Sequence, residues 1–326
     1  MKLLEVQNLK TYFTTLAGMV KAVDDVSFQV EKGEALGLAG ESGCGKTTTA
    51  LSILRLLPSG GKIIQGKINF KGEDVTSLSE DDIRKRIRWK GISIVFQGAM
   101  NALNPVYNIG DQISEAILLH EGNVSRSQVQ ERVGDLLKLV GLDPSRASNY
   151  PHEFSGGMRQ RALIAMAVAC NPELLIADEP GTALDVIVQA QVLRLLRELK
   201  QKLNLSMILI THDLSIIAET CEKTVIMYAG KIAEYGDVSA IFKEPLHPYT
   251  QGLVKAFPSI RAERTRMVSI PGLPPDLIDP PSGCRFHPRC QYAMEICRRK
   301  EPQLEEVSKT DHYVACYLVA KDWEKK

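Results

Sequence analysis

The chain has 326 residues, of which 44% are hydrophobic and 24% are charged, a length that suits one large domain with an appendage or two domains. Its 40 basic and 39 acidic residues give a formal net charge of +1, which argues against a nucleic-acid partner. No apolar run approaches the roughly 18–20 residues that cross a membrane, and the first ten residues lack a signal peptide's apolar region. We therefore expect a cytosolic protein that reaches any membrane through partner proteins.

Short apolar runs separated by helical patterns define the predicted core. Residues 1–35 alternate apolar and polar side chains, which predicts antiparallel strands. Residues 108–170 become helical in pattern, and residues 186–202 predict a further helix. Three apolar runs predict buried strands: residues 35–39, 174–177 and 207–210. Because strands and helices alternate, we expect an α/β fold with a parallel sheet.

A glycine-rich turn, GESGCGKT, joins the first buried strand to a predicted helix. It fits the pattern G-x-x-x-x-G-K-[ST] in the strand–turn–helix context that this phosphate-binding motif requires. Backbone N–H groups and the helix dipole bind phosphate there, Lys46 reaches the β- and γ-oxygens, and the Thr47 hydroxyl ligates Mg²⁺. We interpret Cys44 as a space-filling residue of the loop and not as a reactive thiol. The predicted nucleotide-binding residues of this segment are Gly40, Ser42, Gly43, Cys44, Gly45, Lys46, Thr47 and Thr48.

The second buried strand is followed by two consecutive carboxylates, Asp178 and Glu179. Ligands of open α/β sheets bind at the carboxyl ends of the strands. Asp178 is predicted to hold Mg²⁺ through its water shell. Glu179 is predicted to polarise the attacking water, which is a general-base role. The phosphate loop and this pair together predict a P-loop nucleotide hydrolase.

The segment SGGMRQR, which begins at Ser155, resembles the signature sequence of ATP-binding cassette (ABC) ATPases. Two adjacent glycines at a predicted helix start expose N–H groups and the positive end of the helix dipole to an anion. In that family the anion is the γ-phosphate held by the other subunit's phosphate loop. The resemblance therefore implies a dimer with two sandwiched ATP molecules, contacted by Ser155, Gly156, Gly157 and Met158.

Further family elements follow in order. The resemblance implies that Gln97 contacts Mg²⁺ and water in a Q-loop, that Asp185 communicates across the dimer in a D-loop, and that His212 contacts the γ-phosphate. It also implies an aromatic ring stacked on adenine, for which Phe13 is the first choice and Tyr12 the alternative. Three positions depart from the common pattern, with altered rates and retained activity as the expected consequence: Phe154, Met158 and Gly181. Gly98, directly after Gln97, is expected to add local flexibility.

Segments outside the cassette motifs resemble dipeptide and oligopeptide importer ATPases. These segments are residues 101–105, 245–253, 271–275 and 283–290. The implied fold is a P-loop NTPase with a RecA-like parallel sheet core, an N-terminal antiparallel β subdomain and a helical signature subdomain at about 98–170. The implied domains are the cassette, residues 1–257, and a small cysteine-containing C-terminal extension, residues 258–326, whose prolines at 271–281 exclude regular structure.

The resemblance implies an ATPase at the cytoplasmic face of the membrane that powers peptide import. Its expected partners are a second cassette, identical or related, two transmembrane permease subunits and, indirectly, an extracytoplasmic peptide-binding protein. A nickel or other small-solute importer is the alternative within the family. A soluble ABC ATPase without a transport role is less favoured, because the chain has a single cassette and lacks a long coiled coil between its motifs.

The C-terminal extension concentrates four of the seven cysteines: Cys284, Cys290, Cys297 and Cys316. Their spacing, C-x5-C-x6-C-x18-C, lacks the tight C-x2–4-C pairs typical of zinc sites. The family resemblance and the four thiolates favour a [4Fe–4S] cluster over zinc or reduced structural thiols. His287 and His312 are interpreted as ordinary loop residues.

Overall fold

In the computed structural model, which describes residues 1–98, 102–122, 124–256, 270–307 and 311–319, the chain forms two units. The first unit comprises Met1–Thr76 and Ile210–Lys326, and the second unit comprises Ser77–Leu209. The predicted domain boundary at 257/258 lies outside the described residues, as does Asn101 of the segment 101–105. The division at that boundary stays a prediction.

The first unit contains nine strands and five α-helices among its described residues. The strands are β1 (Lys2–Thr15), β2 (Gly18–Glu31), β3 (Ala35–Ala39), β4 (Gly61–Phe70), β5 (Glu73–Asp74), β9 (Lys223–Tyr228), β10 (Lys231–Asp237), β11 (Glu305–Glu306) and β12 (Tyr313–Val314). The helices are α1 (Lys46–Ile53), α7 (Leu214–Thr220), α8 (Val238–Lys243), α9 (Pro248–Ala256) and α10 (Glu295–Arg299).

An antiparallel sheet in the order β2-β1-β4-β5 forms the N-terminal part of this unit. Alternating side chains along β1 and β2 are buried, including Leu4, Val6, Val26 and Val30, as expected for strands with one covered face. The antiparallel strands predicted for residues 1–35 are therefore confirmed.

The core strand β3 is buried at all five residues and pairs in parallel with β9. The antiparallel strand β10 follows β9, and the C-terminal strand β12 pairs with β10 through Glu234↔Val314 and Tyr235↔Tyr313. Residues 313–314 are thus tied to the core sheet. The described part of the proline-rich segment, residues 270–282, contains no helix or strand, as predicted.

The second unit combines three parallel-sheet strands with helices on its described residues. Its strands are β6 (Ile92–Val95), β7 (Leu174–Asp178) and β8 (Ser206–Ile210, whose last residue belongs to the first unit). Its helices are α2 (Glu80–Asp82, continued by a π-helical turn at Ile83–Ile87), α3 (Ile109–His120), α4 (Arg126–Leu139), α5 (Gly156–Ala167) and α6 (Val186–Leu203), with 3-10 turns at Pro144–Ser148 and Pro151–Glu153.

Strand β6 pairs in parallel with β7, which is buried throughout. Ser125 and Gln128 form a capping box at the start of α4, and α4 buries Val133 and Leu137 on one face. The parallel α/β fold predicted from the alternating pattern is confirmed. No helix in the described part of the chain combines the length and the apolarity that a membrane crossing requires.

Candidate active site

The phosphate loop, residues 40–47, leaves the end of β3 and enters α1. Gly40 and Gly45 have φ angles of 144° and 104°, in the region that favours glycine. A Cβ atom would lie 2.2 Å from the Met227 carbonyl oxygen at Gly40 and 2.3 Å from the Ala22 carbonyl oxygen at Gly45. Glycine is therefore required at both positions by backbone conformation and by close approach of neighbouring strands.

Lys46 begins α1, and its side chain turns back into the loop. Its Nζ donates hydrogen bonds to the carbonyl oxygens of Gly40, at 2.7 Å, and Glu41, at 3.0 Å. The residue is only 6% exposed, so the cation is held within the loop. The first turn of α1 contains no acidic side chain. A buried cation and a helix N-terminus at one loop create an environment suited to a phosphate anion.

The other loop residues have different exposures. Ser42, Gly43 and Thr47 are exposed, and Cys44 is 3% exposed. Burial raises the pKa of the Cys44 thiol, which keeps the thiol protonated at neutral pH. These properties agree with a packing role for Cys44, while the Thr47 hydroxyl stays accessible to a metal ion.

The two aromatic candidates for adenine stacking have different surroundings. The Tyr12 hydroxyl donates a hydrogen bond to Asp24 at 2.8 Å, and burial together with this carboxylate raises the pKa of Tyr12 to about 12. Phe13 is half-buried and lies beside Gly61, where a Cβ atom would be 2.6 Å from its ring. Because the Tyr12 hydroxyl is hydrogen-bonded to Asp24, we favour Phe13 as the residue that stacks on adenine. This assignment stays a prediction.

His212 lies in the turn between β8 and α7. The Thr211 N–H donates to the Leu38 carbonyl oxygen, next to the strand end from which the phosphate loop departs. Asp213 caps α7 by accepting a hydrogen bond from the Ser215 N–H at 2.8 Å. These bonds fix the turn on both sides of His212, whose side chain is exposed. The first unit thus places His212 at the same sheet edge as the phosphate loop.

In the second unit, the ends of β6 and β7 bring Gln97 and Glu179 together. Val95 is paired with Ala177, and each predicted residue follows two positions later. Gln97 Nε2 donates to Glu179 Oε2 at 2.8 Å, and the Thr182 hydroxyl donates to the same oxygen at 2.9 Å. Asp178, at the end of β7, is 1% exposed. The arrangement holds one carboxylate in a fixed orientation beside a second, buried one.

The signature and D-loop segments both form helix starts. Ser155 caps α5 by accepting a hydrogen bond from the Met158 N–H at 3.3 Å, and the first turn of α5 has no acidic residue. Asp185 caps α6 in the same way for the Val188 N–H, at 2.9 Å. A Cβ atom at Gly157 would lie 2.5 Å from Val188, so this glycine permits the two helix starts to approach. The helix start predicted after Ser155 is therefore present, and its role in binding an anion stays a prediction.

The four C-terminal cysteines line one small cavity of about 20 Å³ with apolar walls that include Phe286 and Leu318. The backbone joins two of them, because the Cys284 N–H donates to the Cys297 carbonyl oxygen at 2.8 Å. Burial, reinforced by the neighbouring thiols, raises the pKa of Cys284 to about 12 and that of Cys316 to about 11. Within the described ranges, however, no three Cys, His, Asp or Glu side chains stand in a metal-ligating arrangement.

The two histidines of this region have local partners. His287 also borders the cysteine cavity, and its Nδ1 lies 3.0 Å from the Cys284 carbonyl oxygen. His312 Nε2 is hydrogen-bonded to Glu234 at 2.7 Å, and both side chains are buried. His312 therefore fastens the C-terminal strand to β10.

Comparison with known proteins agrees with these observations. Residues 23–182 match the ABC transporter family, and residues 233–297 match the oligopeptide/dipeptide transporter C-terminal region. The dipeptide transport ATP-binding protein DppD of Bacillus subtilis is 47% identical over 97% of this chain and 95% of its own length. The chain belongs to the ATP-binding subunits of ABC transporters.

Two further comparisons support the assignment of this chain to the ATP-binding subunits of ABC transporters. The oligopeptide transport ATP-binding protein OppD of Escherichia coli is 47% identical over 93% of this chain and 90% of its own length. The dimeric post-hydrolysis structure of the cassette MJ0796 with ADP and phosphate matches with a TM-score of 0.64 at 26% identity, over 72% of this chain and 98% of the other. The fold of an ABC cassette is thereby established.

Thr182 is a site residue of this ABC subunit that the sequence reasoning missed. The neighbouring Gly181, unusual for the family, lies where a Cβ atom would be 2.5 Å from the Gln189 side chain. A larger residue at 181 would therefore collide with α6, and the hydroxyl at 182 contacts Glu179 instead. The available sequence signal for Thr182 was a hydroxyl residue three positions after the predicted general base, in a turn. Phe154 is a second residue that departs from the common pattern of the family motifs. It is 4% exposed and packs in the interior.

Proposed function

We propose that this ABC subunit hydrolyses ATP to power the import of dipeptides or oligopeptides through a membrane permease. The observation that carries the proposal is the combination of the nucleotide motifs with a C-terminal region of the oligopeptide/dipeptide transporter type. Relatives at 47% identity are named as dipeptide and oligopeptide transport ATP-binding proteins. Their near-complete coverage extends the likeness beyond the nucleotide motifs to the C-terminal region.

The residue roles follow from the chemistry of each group. Lys46 and the N–H groups of the loop bind the phosphates, and the ring of Phe13 stacks on adenine. Glu179, oriented by Gln97 and Thr182, accepts a proton from the attacking water. His212 contacts the γ-phosphate. Variants of Lys46, Glu179 and Thr182 test three of these roles.

The oxygen donors for Mg²⁺ are the Thr47 hydroxyl, the Asp178 carboxylate and the Gln97 amide. Hydroxyl, carboxylate and amide oxygens are the hard ligands that this ion prefers, and Asp178 is a buried carboxylate well suited to a cation. When bound, Mg²⁺ neutralises charge that develops on the phosphate oxygens.

The working form that we propose is a dimer of cassettes with two ATP molecules. The capped N-terminus of α5, with Gly156 and Gly157 in its first turn, is suited to bind the γ-phosphate held by the partner cassette. The second cassette is identical or related. Two permease subunits and an extracytoplasmic peptide-binding protein complete the importer, with this chain peripheral at the cytoplasmic face.

Exposed apolar side chains support a permease contact on the second unit. Val106 is 71% exposed and Tyr107 is 56% exposed, shortly after Gln97 in the chain and immediately before α3. Large apolar groups exposed next to each other commonly mark protein interfaces.

The cysteine cavity is proposed to hold a [4Fe–4S] cluster on Cys284, Cys290, Cys297 and Cys316. The supporting observation is that all four thiols border a single cavity. Cys284, Cys290 and Cys297 lie in the matched C-terminal region, and Cys316 follows it in the chain. Protein purified anaerobically is expected to contain about four irons and four sulfides per chain. One zinc per chain, or metal-free protein, contradicts the cluster.

The transport role is tested by assembling the chain with its two permease subunits in proteoliposomes. Dipeptides or oligopeptides, delivered by the binding protein, should stimulate ATP hydrolysis and enter the vesicles. The Glu179→Gln variant in the same vesicles is the matched control and should abolish both signals. Stimulation by nickel but not by peptides would show that the transported solute is nickel and not a peptide. Failure to assemble with any permease would overturn the transport role.

A further inference from the structure

The C-terminal region contacts the phosphate loop through a partly buried ion pair. Arg289 Nη1 lies 2.7 Å from Glu41 Oε2, and Arg289 Nη2 lies 2.9 Å from Glu41 Oε1. The Arg289 side chain is 6% exposed and that of Glu41 is 26% exposed. Two parallel N–H···O bonds between a guanidinium and a carboxylate fix the orientation of both groups. Glu41 is the second residue of the phosphate loop, although 248 positions separate it from Arg289.

Aromatic rings hold the arginine in place. The guanidinium carbon lies 5.7 Å from the centre of the Tyr228 ring and 5.9 Å from that of Phe286. Arg289 Nε also donates to the Pro271 carbonyl oxygen at 2.8 Å. The hydrogen bond from Arg289 to Glu41, stronger than the opposing effect of burial, raises the pKa of the guanidinium above its ordinary value. Contacts within the C-terminal region therefore fix the position of the guanidinium in addition to its ion pair with Glu41.

A second group from the same region holds the backbone of Glu41. The Glu41 N–H donates to the hydroxyl oxygen of Tyr249, at 2.9 Å, and Tyr249 is completely buried. The Glu41 carbonyl oxygen accepts from Lys46 Nζ at 3.0 Å. The side chain, the N–H and the carbonyl of this one residue are thus all engaged, two of them by residues of the oligopeptide/dipeptide transporter C-terminal region.

We propose that Arg289 is a positioning residue for ATP binding, which acts through Glu41 to hold the phosphate loop in its anion-binding conformation. A glycine-rich loop loses conformational freedom when it closes on a ligand. A loop that is already ordered avoids that loss, so its affinity is higher. The proposal rests on the assignment of residues 40–47 as the ATP-binding loop.

A role limited to fastening the C-terminal region predicts different behaviour. Asp311, in the C-terminal extension (residues 258–326), forms an ion pair with Lys223 that ties the extension to β9, away from the phosphate loop. Removal of that pair by Asp311→Asn should loosen the attachment without affecting Glu41. Asp311→Asn is therefore the matched control for any change that Arg289 variants cause through the attachment alone.

The test measures the dissociation constant of the non-hydrolysable analogue adenylyl imidodiphosphate with Mg²⁺ by calorimetry. Arg289→Ala and the near-isosteric Glu41→Gln should each weaken binding about tenfold, equivalent to about 1.4 kcal/mol. The double variant should be no weaker than either single variant, because both remove one interaction. Arg289→Lys, which keeps the charge and loses the bidentate geometry, should lie between wild type and Arg289→Ala. The turnover number at saturating ATP should change less than about twofold, since the bond acts on binding.

Three outcomes overturn the proposal: unchanged affinity in Glu41→Gln, additive losses in the double variant, or a loss in Arg289→Ala no larger than in Asp311→Asn. Glu41→Gln keeps the test decisive if Arg289→Ala does not fold. Lys46→Ala distinguishes the underlying assignment. If Lys46→Ala binds the analogue as wild type does, residues 40–47 are not the ATP-binding loop; if it loses binding and the Arg289 variants do not, the positioning role alone fails.

Discussion

The Gln97 side chain donates a hydrogen bond of 2.8 Å to the Glu179 carboxylate, although 82 residues separate them in the chain. The pairing of β6 with β7 explains this contact, because Val95 and Ala177 are partners and both candidates follow two residues later. The Thr182 hydroxyl donates to the same carboxylate oxygen. Two donors on one oxygen fix the orientation of the carboxylate.

The Glu179→Gln variant is expected to bind ATP and to hydrolyse it more slowly by about 10²–10⁴, because an amide cannot accept the proton from water. Steady-state phosphate release and ATP binding measure the two effects. Glu131→Gln, at an exposed position on α4, is the control with the same chemical change. Wild-type turnover in Glu179→Gln would contradict the assignment of the general base.

Replacement of Thr182 by valine should lower the turnover number about ten- to a hundredfold, because a hydrogen bond to a charged group contributes about 1.5–3 kcal/mol. Thr182→Ser retains the hydroxyl and is expected to keep near-normal turnover. Both variants should bind ATP as wild type does. Equal turnover in the valine and serine variants would show that the hydroxyl does not orient Glu179.

Removal of the loop cation in Lys46→Ala should weaken ATP binding at least about tenfold. The buried ammonium that now bonds to the Gly40 and Glu41 carbonyl oxygens is the positive charge of the phosphate loop. Calorimetry with ATP and Mg²⁺ measures the affinity. The exposed Lys67 on β4 offers a control, since Lys67→Ala removes the same charge away from the loop. Unchanged binding in Lys46→Ala would count against the loop assignment.

Gly45→Ala should lower the free energy of unfolding by several kcal/mol and abolish ATP binding. Its Cβ atom would collide with the Ala22 carbonyl oxygen at 2.3 Å, in addition to the strain of a φ angle of 104°. Gly72→Ala, at φ 85° with no atom within 4 Å, carries the backbone strain alone, about 1–2 kcal/mol. Urea denaturation of the two variants separates collision from strain. Equal losses would show that the close contact contributes nothing.

The Cys44 thiol is expected to resist alkylation in the folded protein. Its side chain is buried, and burial raises its pKa, so little thiolate is available at pH 8. Iodoacetamide treatment followed by peptide mass spectrometry measures the modified fraction. The same treatment in urea is the control and should label Cys44 fully. Rapid labelling under native conditions would contradict its packing role.

The sequence determined three of the parallel-sheet strands, β3, β7 and β8, and the nucleotide motifs of this chain, because each depends on residues close together in the chain. The buried strand at 35–39 and the loop that follows it were predictable from an apolar run and three glycines with a lysine. Helix caps at Ser155 and Asp185 have equally local causes, since each side chain bonds an N–H three residues later. The assignment of the C-terminal region to peptide importers likewise came from short segments.

Only the tertiary structure decided the contacts between distant segments. The Thr182 hydroxyl could be assigned to Glu179 only when the turn after β7 was seen, and Gly181 could be explained only by the packing of Gln189. The bidentate pair of Glu41 with Arg289 has no signature in the sequence, because nothing local specifies which of many arginines and glutamates will meet. Strand pairing and aromatic packing bring those two side chains together, and both depend on the whole fold of the first unit.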